Sequence, residues 1–166
     1  MNTNRRRLIL WTLNALGAFV GAWALAAPRG FYDAFPTPGL FGAWVGVDGP
    51  YNEHLVRDVG SLYLALVAAG VVAALMRRAD ASVAVGAAWL VFSVPHFMYH
   101  VGHLQGLAPL DAVAQPVALA ATLVLAVPLC LPPKRQADAE RTAGAERTER
   151  TERTERTERI EGEEHR

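Results

Sequence analysis

The chain has 166 residues, of which 52% are hydrophobic and 19% are charged, with 16 basic and 16 acidic side chains. The charges are segregated, because residues 1–132 hold 7 Lys/Arg and 6 Asp/Glu, whereas residues 133–166 hold 9 and 10. Neither part has the net positive charge of a nucleic-acid-binding surface, and the single cysteine, Cys130, excludes an intrachain disulfide.

Four long apolar segments dominate residues 1–132, which we treat as one domain. A membrane-spanning helix needs about 20 mostly apolar residues, and the helices of a soluble bundle would need charged outer faces that these segments lack. The sequence therefore predicts an all-α integral membrane protein that forms a four-helix bundle in the lipid bilayer. The predicted helices are 8–27, 55–76, 82–104 and 113–131.

The basic residues that flank these helices predict their orientation. They occur at 5–7 before the first helix, at 77–78 after the second and at 134–135 after the fourth. Four crossings place all three groups on one side, which the positive-inside rule identifies as cytoplasmic. We therefore expect a multi-pass protein of the plasma membrane with both termini in the cytoplasm and with the 28–53 and 105–112 loops outside.

The first segment has an alternative interpretation as a signal peptide. Basic residues at 5–7 precede an apolar stretch that ends in Ala24-Leu25-Ala26, a possible cleavage sequence. We favour a retained helix, because the apolar stretch is longer than the hydrophobic region of a typical signal peptide.

The 28–53 loop is rich in aromatic residues, which favour either the lipid headgroup zone or a packed cap over the bundle. Asn52 at its end is a suitable N-cap for the second helix. That helix begins with polar residues at helical spacing: His54, Arg57, Asp58 and Ser61 fall on one face, with Glu53 beside them.

The third helix ends with His96, His100 and His103, which share one face, and Tyr99 lies next to them. Ionisable groups at membrane depth are costly and usually face a protein interior or water. Because antiparallel neighbours bring both clusters to a similar depth, we predict one outward-facing polar pocket beneath the loop. The predicted pocket residues are Glu53, His54, Arg57, Asp58, Ser61, His96, Tyr99, His100 and His103.

Several chemistries fit these residue types. Proton relay or small-molecule binding needs only titratable groups in a wet cavity, while a hydrogen-bonded network could simply join the helices. His96, His100, His103 and Asp58 could instead bind a metal ion, or a histidine could ligate haem. We favour a binding or accessory role over catalysis, with a metal- or haem-dependent membrane oxidoreductase as the alternative.

Residues 133–166 follow Pro132-Pro133 and contain repeated Glu-Arg-Thr triplets. This segment has no apolar stripe to bury, so we predict a solvated cytoplasmic tail that is disordered or partly helical. The sequence points to no protein partner and no oligomeric state.

Three stretches within residues 8–131 resemble a group of small actinobacterial four-helix membrane proteins, which are DoxX-like in general appearance. The stretches are FYxxFP from Phe31, GPYNEHLVRDVG from Gly49 and WLVFxVPH from Trp89. The resemblance implies the four-helix topology and carries no activity with it.

Overall fold

The computed structural model describes residues 4–131, 142, 144–148 and 150. Residues 4–131 form five α-helices, and no β-strand occurs among the described residues, so the predicted all-α class is confirmed. Four of the helices are long and apolar enough to cross a membrane, and the short one, α2, lies in the first loop. The helices are α1 (Asn4–Ala26), α2 (Pro28–Ala34), α3 (Glu53–Met76), α4 (Ala79–Gly102) and α5 (Pro109–Cys130).

The outer surface of the bundle is apolar. In each long helix, only 17% to 39% of the most apolar 18-residue stretch is buried within the chain. Large side chains such as Leu8, Val91 and Val124 are 68%, 76% and 69% exposed. An apolar surface of this extent needs a non-aqueous environment, so the long helices suit a lipid bilayer.

Each long helix begins before its predicted start. α4 and α5 include Asp80 and Asp111 in their first turns, and Pro109 occupies the first turn of α5. Acidic residues and proline are favoured there, because they complement the free N–H groups of a helix start. α3 begins at Glu53, and the Asn52 side chain accepts a hydrogen bond of 3.1 Å from the Leu55 N–H, as predicted for an N-cap.

The ends of α1 and α5 meet through Arg6, which is buried. Its guanidinium donates hydrogen bonds to the carbonyl oxygens of Leu131, at 2.7 Å, and of Leu129. These carbonyls end α5 and have no partner inside that helix. We call this the arginine end of the bundle. The opposite end, where α1 ends and α3 begins, is the capped end, since residues 35–52 cover it.

The core between the helices contains few polar groups. Trp89, Leu10, Leu13 and Leu129 are at most 1% exposed and belong to one cluster, to which all four long helices contribute. α1 and α3 pack so closely at Gly21 and Gly60 that their backbones are nearly in contact.

The chain consists of two compact units, Met1–Leu131 and Pro132–Arg166. Residues 142, 144–148 and 150 are helical and exposed. The rest of the predicted 133–166 tail lies outside the described residues, so its predicted character stays a prediction.

Candidate functional site

A cavity of about 700 Å³ lies among the helices at the capped end. α1, α3, α4 and α5 form its walls, and the loop between α2 and α3 contributes Phe41, Trp44 and Asp48. Most of the lining side chains are aliphatic or aromatic. Cavities that bind small organic molecules typically span roughly 300–1,000 Å³ and are mostly apolar with a few polar groups, so this cavity has the size and composition of such a site.

The aromatic loop forms a packed cap over the cavity. The rings of Phe31 and Phe35 lie 4.6 Å apart, and Trp44 packs edge-on against Phe35 at 6.1 Å. The Trp44 backbone N–H donates a 3.0 Å hydrogen bond to the Phe35 carbonyl oxygen, which folds the loop back on itself. Trp44 is only 7% exposed. The cap is therefore a defined part of the structure that closes one end of the cavity.

Asp111 holds this cap to α5. Its carboxylate accepts a 2.8 Å hydrogen bond from the indole Nε1 of Trp44 and a 3.1 Å hydrogen bond from the backbone N–H of Gly42. Asp111 is 3% exposed, and its bond with Trp44 is buried, whereas Gly42 lies at the exposed surface. Sequence reasoning missed this residue, although a lone carboxylate between apolar residues was the available signal.

His96 and His100 line the cavity from α4, with their ring centroids 4.7 Å apart. His100 Nδ1 lies 3.9 Å from a carboxylate oxygen of Asp48 in the cap. Burial raises the pKa of Asp48, and this effect outweighs the lowering by His100 and His103. The polar end of the cavity is thus an Asp–His contact between the cap and α4.

The third histidine of the predicted cluster lies apart from the cavity. α4 ends at Gly102, so His103 is in the C-cap position and is exposed. Its Nδ1 lies 2.7 Å from the Tyr99 carbonyl oxygen, and the two rings stack at 4.2 Å. Tyr99 itself is 45% exposed and lines the cavity edge. Of the three histidines predicted to share one face of this helix, His96 and His100 therefore line the cavity and His103 does not.

The cavity wall contains two further polar side chains, of which Gln115, on the fourth membrane helix, was predicted to line the interior. Gln115 on α5 is 3% exposed and Trp89 on α4 is 1% exposed. Within the described part of the chain, Gln115 Oε1, Trp89 Nε1 and His100 Nδ1 have no hydrogen-bond partner. Buried polar atoms are normally paired, because an unpaired one costs about 1–3 kcal/mol. Gln115, Trp89 and His100 therefore each carry a polar atom whose hydrogen-bonding capacity is unused within the described part of the chain.

The polar residues at the start of α3 pair with one another at the surface. His54 Nε2 lies 3.4 Å from Asp58 Oδ2, and their side chains are 87% and 61% exposed. Arg57 Nε donates a 2.9 Å hydrogen bond to Glu53 Oε1, and the Ser61 hydroxyl donates one of 2.9 Å to the Arg57 carbonyl oxygen. None of these five residues lines the cavity.

The rotation of α3 about its axis explains why the two predicted clusters do not form a single pocket. The face of α3 toward the cavity carries Val56, Val59 and Tyr63. The Arg57 guanidinium also donates to the Leu25 carbonyl oxygen at the end of α1, outside the cavity. Of the predicted pocket residues, the structure brings only His96, Tyr99 and His100 to this cavity.

The donors proposed for a metal ion are correspondingly dispersed. Asp58 pairs with His54 on α3, and His103 lies beyond the end of α4, which leaves His96 and His100 together. In the part of the chain that the structure describes, no three His, Cys, Asp or Glu side chains are grouped closely enough to hold a metal ion. The metal- or haem-dependent alternative stays a prediction.

Comparisons of the chain with protein-family models, with curated proteins and with solved structures find no match. The DoxX-like resemblance therefore stays a prediction, and the function has to be inferred from the cavity itself.

Proposed function

We propose that this chain is a multi-pass membrane protein that binds a small lipid-soluble molecule in the cavity beneath its aromatic cap. The observation that carries the proposal is a mostly apolar cavity of about 700 Å³ whose lining residues include Gln115, Trp89 and His100. We favour a role in binding or delivery over catalysis, because most of the lining is apolar, as in sites that hold small organic molecules.

The proposed orientation places the capped end outside the cytoplasm. Basic residues support it, because Arg6, Arg77 and Arg78 belong to the arginine end and cytoplasmic loops are enriched in such residues. The cavity then lies in the outer half of the membrane.

Equilibrium dialysis in lipid nanodiscs tests the proposed binding, with 2-naphthol as the probe. Protein-free nanodiscs give the share of probe that dissolves in lipid. We expect one saturable site above that background in the wild-type protein. Ala114→Phe should weaken the saturable binding, because Ala114 lines the cavity and the larger ring would occupy part of its volume.

Val113→Phe is the matched control, since Val113 is the preceding residue of α5, is 64% exposed and does not line the cavity. Saturable binding should persist in this variant. The proposed function would be overturned if nanodiscs with wild-type protein bound no more 2-naphthol than protein-free nanodiscs. It would also be overturned if Ala114→Phe and Val113→Phe lost saturable binding equally.

A further inference from the structure

The charge of the lining limits the kind of molecule that the cavity accepts. None of the described residues that line it is Lys or Arg, and Asp48 places a carboxyl group at the polar end. A carboxylate or phosphate would enter this site without a cationic partner. Transfer of an unpaired charge into an apolar site is strongly unfavourable. Fatty acids and phospholipids are therefore poor candidates.

The polar side chains of the lining indicate which polar group a ligand must carry. Gln115 lies six residues inside the start of α5 and His96 six residues before the end of α4, so both lie about 9 Å below the capped end. His100 is nearer that end, next to Asp48. A carboxamide and two imidazoles offer both donors and acceptors. An uncharged hydroxyl or carbonyl group could satisfy them.

The deeper wall suits an apolar, ring-containing body. Trp89 lies seven residues before His96, about 10 Å deeper along α4. The rings of Tyr63 and Trp89, which both line the cavity, pack edge-on with their centroids 6.0 Å apart. Aromatic walls of this kind favour flat rings, which pack in stacked or edge-to-face geometry.

The route into the cavity points to the membrane. Leu16 and Phe19 of α1 belong to the cavity wall and are also 42% and 52% exposed on the apolar outer surface of the bundle. At the capped end, Asp111 of α5 is hydrogen-bonded to Trp44 of the cap. A molecule dissolved in lipid can therefore reach the wall beside α1 without passing through the cap.

We infer that the cavity selects an uncharged, ring-containing lipophile whose hydroxyl or carbonyl group is bound between Gln115 and the His96–His100 pair. This inference rests on the proposed function and specifies the class of its ligand.

Three probes with the same two-ring body test the inference at neutral pH: 2-naphthol, 2-naphthoate and naphthalene. Affinities come from the same nanodisc dialysis, with protein-free nanodiscs correcting for partition. We expect 2-naphthol to bind about three- to tenfold more tightly than naphthalene, the value of one net hydrogen bond. We expect 2-naphthoate to bind at least about tenfold more weakly than 2-naphthol, because its charge is unpaired.

Gln115→Leu removes the amide with little change in volume. It should reduce the ratio of the 2-naphthol affinity to the naphthalene affinity toward one. Gln105→Leu is the control, because Gln105 is an exposed loop residue outside the cavity and the ratio should not change.

If Gln115→Leu fails to fold, the comparison of the three probes on the wild-type protein is sufficient to test the inference. Saturable binding with equal affinities for all three probes, or tighter binding of 2-naphthoate, would overturn the inferred ligand class and leave the proposed function standing. Absence of saturable binding for every probe would overturn the proposed function itself.

Discussion

At the scale of single residues, Asp111 is the main link between the aromatic cap and the bundle. Its carboxylate accepts hydrogen bonds from Trp44 Nε1 and the Gly42 N–H, and it is buried. Hydrogen bonds to a charged acceptor are stronger than neutral ones. The loss of this carboxylate would leave the buried Trp44 Nε1 donor without its partner.

We therefore predict that Asp111→Ala lowers the free energy of unfolding by about 1–3 kcal/mol and loosens the cap. Denaturant unfolding in detergent micelles, followed by tryptophan fluorescence, measures this change. Asp33→Ala is the control, because Asp33 forms an exposed ion pair with Arg29 in which the side chains are 47% and 65% exposed. Such pairs contribute about 0–1 kcal/mol. Equal effects of the two substitutions would show that Asp111 does not fasten the cap.

At the scale of helices, α1 and α3 form the closest contact of the bundle. A Cβ atom on Gly60 would lie 2.8 Å from the Leu25 backbone nitrogen and 3.0 Å from the Gly21 carbonyl oxygen. Backbone atoms cannot yield as a flexible side chain does. Small residues at such a crossing let membrane helices approach closely.

Gly60→Ala should destabilise the protein by about 1–3 kcal/mol, the usual cost of overpacking. Gly102→Ala should change stability by less than about 0.5 kcal/mol, because nothing lies within 4 Å of the Cβ atom that it adds. The same micelle unfolding experiment compares the two variants. A neutral Gly60→Ala would mean that α1 and α3 have room to separate at this crossing.

Sequence patterns predicted where the long helices lie along the chain. They did not predict how α3 is rotated about its own axis. Apolar length is enough to find a spanning helix, and Asn52 correctly indicated where α3 begins. Periodicity shows which residues share a face but not which neighbour that face meets. On α3 the valine and tyrosine face turns to the cavity, while His54 and Asp58 satisfy each other at the surface. The Asp111–Trp44 contact spans 67 residues, and no local pattern encodes it.

At the scale of the whole molecule, four helices are long and apolar enough to cross a membrane, and we predict that they place the two ends of the bundle on opposite sides of it. We predict that the capped end is outside. The test uses a Cys130→Ser parent, so that each added cysteine is the only one. Leu40→Cys, at a position 68% exposed in the cap, should react with an impermeant maleimide on intact cells. Ala145→Cys, in the exposed helical part of 144–148, should react only after lysis. The reverse pattern would contradict the orientation.

The central claim is that the cavity beneath the cap binds a lipid-soluble molecule, and anomalous diffraction from crystals grown with 6-bromo-2-naphthol tests it most directly. We predict one bromine peak inside the cavity, among the side chains of Trp89, His96 and Gln115. The peak should be weaker or displaced in crystals of Ala114→Phe, whose added ring occupies part of the cavity. Bromine peaks found only on the lipid-facing surface, or no peak in the cavity at saturating probe, would contradict the claim.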